Sequence, residues 1–588
     1  MPNSAVLVPP IINPQGKMPV GVSDFTELVR EDYCFVDKSL FIQELLDSGD
    51  KITLITRPRR FGKTINLNML CCFLRQELQQ QNDLFDGLAI SQAADSYQQE
   101  RGKRPVLFVS LRTVKESNWD DSYTRMITLL SVLAEESSRD APVTSLPDRQ
   151  QHILQKVISG QATPAECEPI LAILTQLLTL KHNGMTPWVI MDEYDAPMQA
   201  AYQHGYYKQM RNLMKGLLGD CLKDNPFLHR AVLTGIVRVA KEDIFSDLNN
   251  LGVFGVSQDR FASCFGFTES EIQALLAARD MQSRCDIVRT WYDGYSFGRT
   301  STIYNPWSVI NYLANPNDPI QPYWVNTSSN HLVHELLTQA DSSIKQGLYE
   351  LLSKTTQHST SQPVNEYVPL RNLHNNSKNL WGLLLASGYI TTVPHHKEYS
   401  SPQKTVPLRI PNKEVLTVYS GLIDSWMHTS STNGYAMIER LVAGDAETFA
   451  ADFAEFVHES FSYFDVGGQH PERFYHGFML GMLQHLQGRY VIASQQESGA
   501  GRYDLCLQPI RKQDPGFVFE FKSCPHLQPK GGVLEIRQQL QEPAQQALQQ
   551  IIDKAYHTQL QAHGVDTIIA LGMAFGGKQV AVAHTKLL

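Results

Sequence analysis

The sequence lacks the cysteine arrangements that stabilise small secreted domains or hold structural zinc. Its nine cysteines are scattered singly apart from the neighbouring Cys71 and Cys72, with no Cys-x-x-Cys pair and no Cys/His group at zinc spacing. The pattern indicates neither a disulfide framework nor a structural zinc site. It favours a reducing, intracellular compartment.

Segments that direct a chain to a membrane are missing as well. Residues 1–12 contain no basic stretch and are interrupted by prolines where a signal peptide needs an apolar helix. No apolar run approaches the roughly 18 to 20 residues that a membrane-spanning helix requires. We therefore expect a cytoplasmic protein without membrane contact.

An excess of positive charge is also absent. The net charge is −9, so any binding of nucleic acid must depend on a local basic surface. The content of 42% hydrophobic and 19% charged residues is typical of globular proteins. Because domains usually hold roughly 100 to 200 residues, the 588 residues predict two or three domains.

The first part of the chain alternates strand-like and helical segments. Near-continuous apolar runs that each enter a polar turn are typical of buried parallel strands. Four such runs occur, at Ile52 to Thr56, Pro105 to Leu111, Trp188 to Asp192 and Ala231 to Ile236. The loops after parallel strands share one sheet edge, where ligands bind. We predict an α/β core over residues 1–265.

Two further regions follow. Residues 266–433 are predicted to form a helical lid or accessory region with a small winged-helix-like unit, and residues 434–588 a second α/β domain. Helices are predicted at Glu269 to Arg279, Pro306 to Ala314, Val333 to Leu352, Pro471 to Gln487 and Pro543 to His557. Strands of the last domain are predicted around Tyr490 to Ala493, Tyr503 to Leu507, Phe517 to Phe521 and Thr567 to Met573.

The first apolar run leads directly into a Gly-Lys-Thr turn that opens a helix. In the Gly-x-x-x-x-Gly-Lys-[Ser/Thr] loop, backbone N–H groups surround phosphates, the lysine neutralises their charge and the hydroxyl binds Mg²⁺. Here Arg57 replaces the first glycine and Pro58 removes one N–H donor. The predicted nucleotide-binding loop comprises Arg57, Pro58, Arg59, Arg60, Phe61, Gly62, Lys63 and Thr64.

Two later strands end in residues that suit the same site. Asp192 is predicted to hold Mg²⁺ together with Thr64, and Glu193 to polarise the attacking water. Thr234 is predicted to sense the γ-phosphate. Arg238 is predicted to stabilise transition-state charge, within the chain or across an oligomer interface. A strand-end ion pair is an equally weighted interpretation of Arg238.

A second constellation lies near the C-terminal end. Asp504 lies in the strand predicted around Tyr503 to Leu507, and Glu520 and Lys522 stand two residues apart in the next strand, so that both point to one face. Asp504 and Glu520, with Glu472 from the preceding helix, are predicted to bind Mg²⁺. Lys522 would orient or deprotonate the water that attacks a phosphodiester. The alternative is a cross-strand ion pair on a solvated face.

These features together resemble the AAA-ATPase-like family of prokaryotic proteins that carry a C-terminal PD-(D/E)xK nuclease-like domain. The residues that carry the resemblance to the ATPase part are Tyr33 to Ser39, Arg57 to Thr64, Met191 to Asp195, Thr234 to Ile236, Trp291 to Tyr295 and Tyr304 to Trp307. It implies an AAA-like P-loop NTPase sheet, a restriction-endonuclease-like C-terminal domain and ATP binding. An arginine-rich loop without the first glycine is usual in that family, whereas Tyr503 stands where proline usually precedes Asp504.

The resulting prediction is an ATP-binding and hydrolysing protein of the bacterial cytoplasm, coupled to a Mg²⁺-dependent nuclease domain that cleaves DNA or RNA. Homo-oligomerisation is compatible with it, because many AAA-like ATPases place an arginine across a subunit boundary. The alternative is a nucleotide-switched binding or signalling protein whose nuclease-like domain is inactive. The aromatic stretch Trp291 to Phe297 is interpreted as a buried turn in preference to a base-stacking surface.

Overall fold

The structure is a computed structural model of the chain. It describes residues 11–76, 83–239, 244–245, 248–324, 331–338, 344, 347–348, 351, 360–368, 370, 373, 376–393, 405–419, 434–460, 479, 482–483, 486, 488–494, 497–498, 501–524, 533–576 and 579–588. The chain divides into two compact units, one comprising residues 1–332, 363–407 and 411–414 and the other residues 333–362, 408–410 and 415–588. Our boundaries at 265/266 and 433/434 stay a prediction.

The elements up to residue 324 belong to the first unit. Its strands are β1 (Ile11–Ile12), β2 (Phe35–Val36), β3 (Ile52–Thr56), β4 (Val106–Ser110), β5 (Trp188–Asp192), β6 (Arg230–Gly235), β7 (Leu251–Phe254), β8 (Phe267–Thr268), β9 (Tyr295–Phe297) and β10 (Thr300–Tyr304). Its helices are α1 (Phe25–Arg30), α2 (Leu40–Asp47), α3 (Lys63–Leu74), α4 (Asp95–Gln98), α5 (Trp119–Ser138), α6 (Asp148–Ile158), α7 (Pro164–Cys167), α8 (Ile170–Lys181), α9 (Ala196–Gln203), α10 (Tyr207–Leu222), α11 (Glu269–Ala278), α12 (Cys285–Tyr292) and α13 (Pro306–Ala314). Short 3₁₀ helices occupy Ala89–Gln92, Val143–Ser145 and Gln282–Arg284.

A five-stranded parallel sheet positions the loops of this unit. Its strand order is β4-β5-β6-β3-β7, and each neighbouring pair is parallel. All residues of β3 and β5 are buried, as expected for strands covered on both faces. The four predicted strands are confirmed to within one residue at each end, and so is the α/β class. The edge strand β7 was not predicted because it is short and only half-buried.

Capping explains where the helices after this sheet begin. Thr268 and Glu271 form a reciprocal capping box at the start of α11. At α13, the Asn305 side chain accepts a hydrogen bond from the first turn and Pro306 occupies an N-terminal position. Both helices match the predicted ones. The small sheet β8-β10-β9 was missed because its strands span only two to five residues.

The aromatic turn between α12 and β9 is buried. Tyr292, Tyr295 and Phe297 are each at most 1% exposed. The Phe61 ring lies 4.9 Å from Tyr295 and 5.5 Å from Phe297, both edge-to-face. The burial of these rings therefore supports the interpretation of this aromatic stretch as a packing element and not as a base-stacking surface.

Residues 331–409 contain α14 (His331–Thr338), β11 (Thr360–Pro363), α15 (Ser377–Ser387), β12 (Thr391–Thr392) and β13 (Thr405–Arg409). The helix predicted at Val333 to Leu352 is thus described up to Thr338, and most of its remainder lies outside the described residues. The winged-helix-like unit stays a prediction.

A buried carboxyl group in the first unit makes its stability depend on pH. Glu414 is fully buried and accepts hydrogen bonds from the Ser308 hydroxyl, at 2.8 and 3.0 Å, and from the Trp324 backbone N–H, at 2.8 Å. Burial raises the pKa of Glu414 from 4.5 to about 7. The folded chain therefore retains a proton that the unfolded chain releases between these two values.

We expect the contribution of Glu414 to the free energy of unfolding to fall as pH rises. Its contribution is complete below pH 4.5 and is lost as pH approaches 7, which amounts to up to about 3 kcal/mol. Glu414→Gln should therefore lose less stability than wild type between pH 5 and 8, measured by thermal unfolding. Glu136→Gln, at an exposed position of α5, should follow wild type. Parallel curves for Glu414→Gln and wild type would contradict the assignment.

The second unit contains another sheet. Its strands are β14 (Tyr490–Ser494), β15 (Glu497–Ser498), β16 (Gly501–Arg502), β17 (Leu505–Pro509), β18 (Gly516–Ser523), β19 (Ile568–Gly576) and β20 (Gln579–Lys586), and its helices are α16 (Gly434–Val442), α17 (Ala446–Ser460), α18 (Val533–Asp553) and α19 (Thr558–Ala562). The main sheet has the order β14-β17-β18-β19-β20 and is antiparallel except between β18 and β19, which α18 connects. β15 and β16 form a separate hairpin.

Alternating residues of β18 face two different apolar layers. Phe517, Phe519 and Phe521 pack in a cluster with residues of α16 and α17, whereas Val518 packs with α18. Gly572 of β19 permits the approach of α18, because a Cβ atom there would lie 2.2 Å from the backbone nitrogen of Leu548. The even-numbered residues of β18 therefore face α18.

Helix α18 corrects one prediction. We expected it to begin at Pro543, but it begins ten residues earlier and contains Pro543 in its interior. Leu540, Ala544 and Leu548 form one apolar stripe against the sheet, which continues past the proline. Tertiary packing thus outweighs the missing backbone hydrogen bond. Most of the helix predicted at Pro471 to Gln487 lies outside the described residues. Among the helices that the structure describes, none is long and apolar enough to cross a lipid bilayer.

Candidate functional site

The loop after β3 ends in a left-handed residue that opens a helix. Gly62 has a φ of +83° and precedes α3 without a side-chain cap, so the first N–H groups of α3 can bind a ligand. Anions are favoured at such a helix start by these donors and by the helix dipole. The predicted phosphate loop therefore has the local geometry that phosphate binding requires.

Three strand and helix ends meet at Asp192. The Thr64 hydroxyl of α3 donates to Asp192 Oδ2 at 2.7 Å, and the Thr234 hydroxyl of β6 donates to Oδ1 at 2.7 Å. Asp192 is 1% exposed at the end of β5. The structure thus joins three residues that are far apart in sequence and were predicted to share a site.

Lys63 lies beside this group. It is 7% exposed, and its ammonium donates to the backbone carbonyls of Arg57, at 3.0 Å, and Pro58, at 2.8 Å. Burial lowers the pKa of Lys63, while Glu193 and Asp192 oppose the shift. The ammonium is therefore held over the loop by neutral acceptors.

Glu193 follows Asp192 in an unusual backbone conformation. Its φ is +52°, which is uncommon for a residue other than glycine, and its side chain lines the same cavity as Lys63. Burial raises the pKa of this carboxyl, and the Lys63 charge counteracts the rise. Strained backbone of this kind often occurs at functional sites.

Asp195 fixes the loop after β6 and was not predicted. Its Oδ2 atom accepts from the backbone N–H groups of Ile236, at 3.0 Å, and Val237, at 2.8 Å. A Cβ atom on Gly235 would lie 2.6 Å from Asp195 Oδ1, so only glycine fits there. The repeated acid in Asp192-Glu193-Tyr194-Asp195 was the available sequence signal.

A cavity of about 730 Å³ is lined by Lys63, Thr64 and Glu193 of this group. Six cationic residues line it, against one acidic side chain, Glu193. The cationic residues are Lys38, Arg59, Arg60, Lys63, Arg112 and Lys115. Lys38 is neutralised by buried Glu271 at 2.7 Å. Apolar lining comes from Met18, Val22, Leu275 and Ile310 among others. The cavity combines a strong positive charge with apolar wall, as a nucleotide would require.

Arg112 and Lys115 were missed in the sequence. Both follow β4, which neighbours β5 in the sheet, and both are exposed. Their position directly after a predicted parallel strand was a usable signal, because such loops share one sheet edge.

The Arg57 side chain does not line this cavity. Its guanidinium is fully buried and donates to the carbonyls of Gly255, at 2.7 Å, and Phe261, at 3.1 Å, and lies 4.9 Å from the centre of the Phe297 ring. Burial lowers its pKa to about 10. The Arg57 side chain therefore anchors the predicted loop from the side away from the cavity lining, and the membership of Arg57 in the nucleotide-binding loop stays a prediction. Pro58 is likewise buried outside the cavity lining.

Arg238 also lies apart from the cavity lining. Its guanidinium lies 3.3 Å above the Tyr367 ring and donates to the Tyr367 hydroxyl. The structure therefore does not bring Arg238 to Glu193 within the chain. The catalytic role of Arg238 across a subunit boundary stays a prediction.

In the second unit, Asp504 and Glu520 lie side by side. Leu505 pairs with Phe519 across the antiparallel strands, so Asp504, one residue earlier, lies next to Glu520. Asp504 Oδ2 accepts from the Phe521 N–H at 2.8 Å. Burial raises the pKa of Asp504, and the hydrogen bond from Phe521 opposes the rise.

Glu520 and Lys522 lie on the face of β18 that α18 covers. Glu520 is 7% exposed, and its Oε1 atom accepts from the Gln550 amide of α18. The same amide lies 3.4 Å from the Tyr556 hydroxyl. Lys522 is half-buried two residues further along the strand. The three predicted residues thus share one face, whereas Glu472 lies outside the described residues.

Gln550, and not Gln546, approaches the carboxylates. Gln546 is exposed and its amide lies 3.5 Å from Glu542. The rotation of α18 about its own axis decides which glutamine faces the carboxylates. That rotation depends on the packing of α18 against Gly572. Within the described part of the chain, no three His, Cys, Asp or Glu side chains gather as a metal site, so Asp504 and Glu520 form a pair.

The chain resembles known sequences over most of its length. Residues 19–245 match the family model described as a predicted AAA-ATPase. Residues 470–585 match the model of the PD-(D/E)XK nuclease superfamily. An uncharacterized protein in the vnfD 5′ region of Azotobacter chroococcum mcd 1 is 25% identical over 574 residues, which cover 95% of this chain and 96% of the relative.

These matches coincide with the two sites. The AAA-ATPase model spans the loop before α3 and the ends of β5 and β6, and the nuclease model spans β17, β18 and α18. The chain therefore joins a segment that matches the predicted AAA-ATPase model to a C-terminal segment that matches the model of the PD-(D/E)XK nuclease superfamily.

Proposed function

We propose that the first unit binds ATP with Mg²⁺ and hydrolyses it. The observation that carries this proposal is the contact of Asp192 with both Thr64 and Thr234 beside Lys63. A hydroxyl and a carboxylate 2.7 Å apart are the oxygen ligands that suit Mg²⁺. ATP and Mg²⁺ therefore fit the residues present.

Each residue would have a distinct role. The α3 N–H groups and Lys63 would bind the phosphates, Thr64 and Asp192 would hold the metal, and Glu193 would accept the proton of the attacking water. The metal would neutralise charge that develops on the phosphoryl oxygens. The test measures ATP binding and the release of phosphate from ATP by the purified full chain. Absence of both would refute this function.

We propose that the second unit cleaves phosphodiester bonds of DNA or RNA in a metal-dependent reaction. Asp504 and Glu520 would hold Mg²⁺, and Lys522 would orient the water. Their placement on one face of the sheet supports this proposal. Glu472 remains a proposed third ligand.

The test is cleavage of labelled single- and double-stranded DNA and RNA by the full chain, with Mg²⁺ or Mn²⁺ and with or without ATP. We expect metal-dependent products. Absence of cleavage on every substrate, with ATP binding intact, would favour a nucleotide-switched binding protein instead.

Gln550 offers a sharper test of the metal-binding geometry. Because its amide donates to Glu520, Gln550→Ala should lower metal-dependent cleavage by about 10- to 100-fold, as measured from initial rates. Raising the metal concentration should restore part of the rate. Gln546→Ala, one turn away on the exposed side of α18, is the matched control and should cleave normally. Equal rates for the two variants would disprove the role of Gln550.

The proposal places the protein in a reducing compartment of a bacterial cell. In support, none of the nine cysteines, all of which lie among the described residues, forms a disulfide. We also propose that the chain forms homo-oligomers in which Arg238 acts across a subunit boundary. Sedimentation of the full chain with and without ATP measures its oligomeric state.

A further inference from the structure

Arg60 differs from the other residues of the phosphate loop. It is exposed, whereas its neighbours are buried or half-buried. Its φ of +68° lies in the left-handed region that side chains rarely adopt. Such strain persists only where the surroundings fix it, and it often marks a residue that is held ready for a ligand.

The guanidinium of Arg60 has a definite partner. Its central carbon lies 3.8 Å above the Trp307 ring, and both side chains line the cavity. The backbone at Trp307 is fixed in turn, because the backbone N–H of Trp307 donates to the Asn305 side-chain oxygen at 3.0 Å in the first turn of α13. A cation over an indole face is attracted to it by the ring quadrupole.

The remainder of the loop is anchored independently of this contact. The Trp324 indole donates to the Arg59 carbonyl at 3.2 Å, and Phe61 packs on Tyr295 and Phe297. The Arg60 side chain can therefore exchange partners while the loop backbone stays in place.

Electrostatics favour an anionic partner for Arg60. Partial burial lowers the pKa of Arg60, the positive charges of Arg59 and Arg112 lower it further, and the Glu193 carboxylate opposes the shift. All four side chains line the cavity that holds Lys63 and Thr64. A terminal phosphate would add negative charge where this cluster has an excess of positive charge.

We propose that Arg60 contacts the terminal phosphate of a bound nucleoside triphosphate and that Trp307 competes for the same guanidinium. The pair would then set how strongly the site prefers a triphosphate to a diphosphate. This inference rests on the proposed nucleotide-binding function. It gives Arg60 a contact with the terminal phosphate beside the γ-phosphate sensing predicted for Thr234, and it is separate from the transition-state role predicted for Arg238.

The test compares dissociation constants for ATP and ADP in a double-mutant cycle on the full chain. Arg60→Gln should lower the preference for ATP at least about tenfold, chiefly by weakening ATP binding. Trp307→Leu, which keeps apolar volume without a π face, should raise that preference about two- to fivefold. Trp307→Phe should give a smaller rise. In the Arg60→Gln background, Trp307→Leu should have no further effect on the preference.

Trp291→Leu is the matched control. Trp291 also carries a cation, with the Lys413 ammonium 4.8 Å from the ring centre, but it does not line the cavity. This variant should keep the wild-type preference.

Three results would overturn the inference. Arg60→Gln could weaken ATP and ADP equally, or the effect of Trp307→Leu could persist without Arg60. Wild type could also fail to bind ATP, which would remove the proposed function and this inference with it. ATP binding in wild type that Lys63→Ala abolishes would show that the function stands, so that either of the first two results refutes Arg60 alone.

Discussion

Replacing Lys63 with alanine should weaken ATP binding by at least about 100-fold, which amounts to roughly 3 kcal/mol. Lys63 supplies a buried positive charge 2.8 and 3.0 Å from carbonyls of the loop, and charge-assisted bonds to phosphate are worth about twice neutral ones. Calorimetric titration with ATP and Mg²⁺ measures the loss directly.

Two companion variants separate lost charge from a disturbed loop. Lys63→Met keeps the apolar stem and removes the ammonium, so it should lose affinity as strongly as alanine. Lys103→Ala removes an exposed cation that is paired with Glu100 and should bind ATP normally. If Lys63→Ala retained wild-type affinity, the cavity would not be the nucleotide site.

Asp504→Asn should reduce metal-dependent cleavage by at least about 1,000-fold, because one of the two adjacent carboxylates proposed to hold the metal loses its charge. The Asn side-chain oxygen can still accept the Phe521 N–H, so folding should be little affected. Thermal unfolding with and without Mg²⁺ gives a second readout. Wild type should gain stability on adding metal, and the variant should not.

Asp553→Asn provides the control for this second prediction. Asp553 is exposed at the end of α18, in the same unit. It should leave both cleavage and metal-dependent stabilisation unchanged. Cleavage by Asp504→Asn at the wild-type rate would show that the observed nuclease is a contaminant or that its site lies elsewhere.

The strands and the loops that carry the candidate site residues could be predicted from the sequence, because the signal for each lies within the segment itself. Continuous apolar runs fix buried parallel strands, and the residues after them must then meet at one edge. This is how Thr64, Asp192 and Thr234 could be grouped before their contacts were known.

Side-chain contacts with residues that are far away in the sequence could not be predicted. Arg57 turns inward because carbonyls near residue 255 and aromatic rings near residue 297 receive it, and nothing in the loop itself encodes them. The contact of Gln550 with Glu520 could not be predicted for the same kind of reason, since close packing against Gly572 sets the position of α18. The predicted start of α18 at Pro543 was wrong because proline is common in the first turn of a helix, whereas here an apolar stripe continues across it.

The anchoring of the phosphate loop by distant residues has a consequence for biosynthesis. The partners of Arg57 come 198 and 204 residues later in the chain, and the indole that donates to the Arg59 carbonyl comes 265 residues later. These partners also lie beyond the segment that matches the AAA-ATPase model. At roughly 5 to 20 residues per second, translation delivers Trp324 about 13 to 53 seconds after the loop has been made. The nascent chain thus acquires its fully anchored loop late in synthesis, well after the sheet strands that carry it have been made.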